Sequence, residues 1–286
     1  MRGRITLVLV LVALVGLVAR SAQAGSPVLL VSFDGGNGQE WCQVHRGACA
    51  GDEGDPLHLR VNYDGLEQRG GIAQIADMLR ADGHAVDAHY FSSSWAIHDT
   101  PASSQPVPGF LEAAELIEAT PADRRIVVIG ASQGGYWSHL LAMALPQIPI
   151  AVLVDMDTIC LGWQGFQKLF AELPQDQQTA LEALVGDRLE EPRICGNTVN
   201  EVPWNVQTNL EVRTGYWLRG APLIQQPYEA LTTDMIPNRR AIPGFSQVGI
   251  VRYVERWNTH GNLLAPHEPS TIWVGQMLRR LLRDPS

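Results

Sequence analysis

The chain has 286 residues, of which 45% are hydrophobic and 18% charged, with a formal charge of −9. This length and composition suit one large domain with its own core. The acid excess, with no basic stripe, excludes a phosphate-tracking surface, so nucleic acid is not an expected partner.

The chain opens with Arg2 and Arg4, then an apolar run from Ile5 to Ala19, then Ala22-Gln23-Ala24. That order reads as a secretory signal peptide over residues 1–24, cut after Ala24. The run falls short of the roughly 20 apolar residues a membrane span needs. The expectation is a single exported domain over residues 25–286, periplasmic or secreted, with no stable membrane insertion. Cys42, Cys49, Cys160 and Cys195 then imply two disulfides, Cys42–Cys49 and Cys160–Cys195 being the expected pairing. No C-x-x-C pair or H-E-x-x-H segment occurs, so no metal site is expected. The cluster Asp52-Glu53-Gly54-Asp55 lacks EF-hand spacing and reads as a solvated acidic loop.

Strands and helices alternate along the remainder. Val28 to Phe33 is a buried strand stopped by Asp34-Gly35-Gly36, and a long Gly-, Asp- and His-rich loop follows to about Gly70. Ile72, Ile75, Ala76 and Leu79 recur at helical spacing until Asp82-Gly83. His84 to Phe91 is the next strand, Ser92 to Pro108 a loop, Phe110 to Ala119 a helix, and Ile126 to Ile129 the third strand. Trp137, Leu140, Leu141, Ala144 and Leu145 mark one face of a helix, and Ile150 to Val154 is the fourth strand, ending at Asp155. Residues 162–202 show no clear strand and hold one or two helices. Val206 to Val212 alternates as a half-buried strand, Val248 to Val254 is a further strand, and Val274, Met277, Leu278 and Leu281 mark a closing helix. The pattern predicts an α/β fold with a mainly parallel, doubly wound sheet covered on both faces, and a site at the carboxyl ends of its strands.

The segment Gly130-Ala131-Ser132-Gln133-Gly134-Gly135 lies between an apolar strand and an amphipathic helix. A serine on such a sharp turn needs small residues two before and two after it, and Gly130 and Gly134 supply them. The helix that follows aims its first N–H groups at developing negative charge. The segment resembles the nucleophile elbow of the α/β-hydrolase superfamily, close to its lipase and esterase forms. The first strand follows directly on the expected signal cut, so a reduced sheet without the leading antiparallel strands is expected.

The resemblance implies an exported serine hydrolase acting on carboxylic esters, with a small-molecule or lipid ester as its partner and no metal or organic cofactor. Ser132 would be the nucleophile. The N–H groups of Gln133 and of Gly35 or Gly36 would form the oxyanion hole. The superfamily order of serine, acid, histidine puts the base late in the chain. His260 is preferred over His267, which reads as the entry to the closing helix, and His139 is read as structural. For the acid, Asp155 ranks first, resembling the strand-end position used in pancreatic-type lipases; Asp234 ranks second and Asp157 third. The segment over residues 160–202 falls where relatives insert lids, and reads equally as a covering helix. Acyl transfer with the same triad, and a non-catalytic binding protein of the same fold, are the alternatives.

Overall fold

The computed structural model describes residues 25–33, 66–91, 106–132, 134–158, 173–186, 201–214, 239–240, 249–255 and 263–283. In chain order the elements are β1 (Gly25–Phe33), α1 (Leu66–Ala81), β2 (His84–Phe91), α2 (Pro106–Glu118), β3 (Arg125–Ala131), α3 (Gly134–Ala144) and β4 (Ile150–Met156). They continue with α4 (Gln175–Val185), β5 (Glu201–Val202), β6 (Val206–Thr214), β7 (Arg239–Arg240), β8 (Ile250–Glu255) and α5 (Pro269–Arg283).

Six strands form one sheet in the order β2-β1-β3-β4-β6-β8. Every pairing in it is parallel. The sheet is covered on both faces, and β1, β3 and β4 at its centre are largely apolar, whereas β6 alternates apolar with polar residues. On one face Leu29, Val31, Phe33, Val128 and Leu153 meet Phe110, Ile117, Trp137 and Leu140 of α2 and α3. On the other, Val28, Leu30, Val127, Ile129, Val154 and Leu210 meet Ile72, Ile75 and Leu79 of α1 and Val274, Leu278 and Leu282 of α5. The expected doubly wound architecture is therefore present.

Several boundaries differ from the sequence reading, each for a local reason. Helix α1 begins at Leu66, within the expected loop, and carries Gly70 and Gly71 inside it. A Cβ on Gly71 would collide with the Leu264 carbonyl, so this glycine allows the helix to lie against the turn before α5. Helix α2 starts at Pro106, because proline is tolerated in a first helical turn where no intrahelical N–H bond is needed. Helix α3 is buried from Gly134 through Ala142 rather than along one face, since it is sandwiched between the sheet and its neighbouring helices. Arg239–Arg240 pairs with Glu201–Val202 as a two-residue parallel ladder, too short to leave a periodic signal in the sequence.

Within the lid-like segment, α4 buries Leu181 and Val185 in the same core cluster as α2 and α3. Asp82, in the turn after α1, is held by Arg279 and Arg283 of α5, closing the layer on that face. Gly83 follows with φ 91°, the left-handed exit a helix C-terminus favours. Among the described residues, no helix is long and apolar enough to cross a membrane.

Candidate active site

Strand β3 lies between β1 and β4 and ends at Ala131. Helix α3 starts at Gly134, so the chain reverses within two residues. Ser132 takes φ 53°, a left-handed conformation that L-residues adopt only when their surroundings impose it. Two hydrogen bonds impose it here. The Ser132 N–H donates to the Met156 carbonyl at 3.0 Å, and the Ser132 carbonyl accepts from the Gly135 N–H at 3.1 Å.

The packing explains the glycines. A Cβ on Gly130 would overlap Ser138 Oγ and the backbone of Gly134 and Gly135. A Cβ on Gly135 would overlap the side chain of Thr158, which lies beyond the end of β4. The sequence reading identified Gly130 and missed Gly135, whose requirement comes from a residue 23 positions away and leaves no local signal. The helix is thus laid directly on the strand end, with its N-terminus beside the serine.

The chain has a doubly wound α/β fold. Its fully parallel sheet, with a strained serine turn at the end of an inner strand and helices on both faces, is consistent with an α/β-hydrolase fold. Among the described residues every strand pairing in this sheet is parallel.

Asp155 occupies the α3-facing side of β4, level with Gly130 in the β3–β4 register. It is 2% exposed, and both carboxylate oxygens are engaged. Oδ1 accepts from His139 Nε2 at 2.9 Å and lies 3.5 Å from Thr158 Oγ1. Oδ2 accepts from Asn209 Nδ2 at 2.6 Å. His139, fully buried on α3, also directs Nδ1 at the Glu201 carbonyl at 3.1 Å. Both ring nitrogens therefore face acceptors, the pattern of an imidazolium. Burial acts to lower the His139 pKa. The charge and hydrogen bond of Asp155, the Glu201 carbonyl and the charge of Glu211 outweigh it and hold the pKa above the ordinary imidazole value. The expectation that His139 is structural agrees with its full burial, but its pairing with Asp155 was not foreseen.

Asp157, the first residue past β4, has φ 48° and is 3% exposed. Its N–H donates to the Val212 carbonyl at 2.7 Å. Ala131 and Met156 are register partners, so Ser132 and Asp157 leave the sheet side by side. His267 sits in the turn entering α5, exposed, with its backbone N–H on Gln74 Oε1 at 2.7 Å. It is placed as the sequence suggested, at the entry to the closing helix. Gln133, Gly35, Gly36, His260, Asp234, the four cysteines and residues 1–24 lie outside the described residues. Among the described residues, no group of three His, Cys, Asp or Glu side chains could hold a metal ion.

No family model matches the chain, and no curated protein does. Solved structures do resemble it. An esterase/lipase from an uncultured bacterium shares 14% identity over 93% of this chain and 80% of its own, with a TM-score of 0.45. Est1E from Butyrivibrio proteoclasticus shares 12% identity over 91% and 88%, with a TM-score of 0.40. Acyl-protein thioesterase 2 from Zea mays shares 11% identity over 91% and 96%, with a TM-score of 0.37.

Proposed function

We propose that the protein is an exported serine hydrolase that cleaves carboxylic esters through an acyl-enzyme on Ser132. The observation that carries this reading is the conformation of Ser132. It is held left-handed by two backbone hydrogen bonds, at the junction of an inner strand and the N-terminus of a buried helix. Strain of this kind is kept where a side chain must be presented for chemistry.

In the proposed reaction His260, which lies between the end of β8 and the turn before α5 in the chain, accepts the Ser132 proton. Ser132 Oγ bonds to the acyl carbon, and the resulting oxyanion is held by the N–H groups of Gln133 and of Gly35 or Gly36. Collapse expels the alcohol, which takes the proton from His260. Water then gives a proton to His260 and attacks the acyl carbon; the bond to Ser132 Oγ breaks, His260 returns the proton to Oγ, and the acid is released. The carboxylates available to orient His260 are Asp155, Asp157 and Asp234. The signal-like residues 1–24 support export.

The test is labelling of the purified protein by a fluorophosphonate, beside Ser132→Ala, His260→Ala and His267→Ala, followed by a panel of p-nitrophenyl esters. Labelling should vanish with the first two changes and survive the third. A folded parent that never labels would overturn the reading in favour of a non-catalytic protein of the same fold. Ester turnover that requires an alcohol acceptor would point to acyl transfer instead.

A further inference from the structure

We propose that Asp155 is a positioning residue, joining with His139 and Asn209 in a buried clamp that fixes helix α3, and with it the Ser132 elbow, to β4 and β6. The proposal rests on the reading of Ser132 as nucleophile and deepens it.

The clamp joins three elements. His139 is on α3, seven residues past the serine, Asp155 is on β4 and Asn209 is on β6. His139 and Asn209 are fully buried, and Asp155 nearly so. Asn209 Nδ2 bonds both Asp155 Oδ2 and, at 3.1 Å, the Leu153 carbonyl, so Asp155 receives a donor that β4 itself helps to aim. Its other oxygen takes the His139 ring, whose far nitrogen is fixed on the Glu201 carbonyl. The charges around this point compensate one another. Glu211 follows Asn209 by two residues on β6 and is paired with Arg252 of β8, so a cationic His139 faces two carboxylates.

The clamp also reaches the elbow from its other side. Thr158, whose Oγ1 approaches Asp155, is the residue packed against Gly135 in the first turn of α3. The helix is thus gripped at its first turn by Thr158 and one turn later by His139, both through the end of β4. A shift of the helix along β4 would carry Ser132 with it, and displacements near 1 Å can cost on the order of 100-fold in rate.

The experiment compares the parent with Asp155→Asn, His139→Gln, the double variant and Asp157→Asn. It reads the fluorophosphonate labelling rate at Ser132, kcat and KM on a p-nitrophenyl ester from pH 5 to 9, and folding by circular dichroism. The clamp predicts that Asp155→Asn and His139→Gln each slow labelling by roughly 10- to 100-fold. The double variant should be no slower than either, because one unit is being removed. KM and the pH midpoint set by the base should stay in place. Asp155→Asn that nearly abolishes labelling while His139→Gln labels at the parental rate would overturn the proposal and make Asp155 the acid. Folded variants that label at the parental rate would overturn it as well.

Because these variants could fail to fold, the parent supplies a second readout. Nitrogen NMR should show the His139 ring, whose two nitrogens both face acceptors, holding its second proton to higher pH than an ordinary imidazole, and a ring already neutral at pH 6 would overturn the clamp. A parent that never labels overturns the hydrolase reading and this role together. A doubly protonated His139 in that protein would then mark the clamp as structural only, which separates the two failures.

Discussion

Ser132 donates its backbone N–H to the Met156 carbonyl at 3.0 Å, so the turn that presents the serine is held by the neighbouring strand as well as by its own helix. The geometry of the elbow therefore depends on the end of β4, where Thr158 also meets Gly135.

Gly135→Ala should damage this junction. The new methyl group overlaps the Thr158 side chain, and overpacking of this kind costs about 1–3 kcal/mol. Urea unfolding should show the loss, and Thr158→Gly in the same chain should restore part of it. A Gly135→Ala protein as stable and as reactive toward fluorophosphonate as the parent would show that the elbow tolerates the shift.

The far end of α3 is tied by Asn205, whose Nδ2 lies 3.0 Å from each of the Ala142, Leu145 and Ile148 carbonyls. Asn205→Ala should cost on the order of 1–3 kcal/mol for the carbonyls left unpaired. Asn205→Asp should cost more at pH 7, because it sets a carboxylate against carbonyl oxygens. It should regain stability on acidification, when a protonated carboxyl donates again. Equal urea midpoints for the two variants across pH 4–7 would contradict this.

The His139–Asp155 pair sets an alkaline limit. A histidine whose folded pKa lies above its unfolded value contributes stability that is fully present below about pH 6.5. That contribution fades as pH rises through the folded value. The parent should therefore lose urea resistance on the alkaline side more steeply than His139→Gln, which should be less stable at pH 6 and flatter in its profile. Parallel profiles would remove the pair from the pH dependence.

Asp82 sets the acid limit. Its hydrogen bond with Arg279 is the largest influence and holds its carboxyl below the ordinary 3.8, with burial opposing and Arg283 assisting. The sign is the reverse of the histidine case. The contribution is present above about pH 4 and is lost as pH falls through the depressed folded value. Asp82→Asn should flatten the acid side of the stability curve, measured by urea midpoints from pH 7 to pH 2.

Two helix glycines should respond oppositely to alanine. Gly71→Ala drives a methyl group into the Leu264 carbonyl, a backbone atom that cannot step aside, so the loss should exceed the helix-propensity gain of about 1 kcal/mol. Gly275→Ala meets only the flexible end of Met78, which can turn away. Its thermal midpoint should equal or exceed that of the parent, whereas the Gly71→Ala midpoint should fall.

The sequence by itself determined the alternation of strands and helices and the place of the serine turn, because apolar period, glycine punctuation and the elbow spacing are local features. It did not determine the surroundings of Asp155. Both faces of this sheet are buried, so β4 reads as one apolar run with no alternation to show which face the carboxylate takes. Only the β3–β4 register, which sets Asp155 level with Gly130 beneath α3, brings it to His139. Asn209 arrives from 54 positions further along, on a strand whose neighbour in the sheet no local pattern specifies. The turn that carries the proposed chemistry was legible in one local stretch from Ile126 to Leu141, while the clamp proposed to hold it was decided by the packing of one helix across two strands.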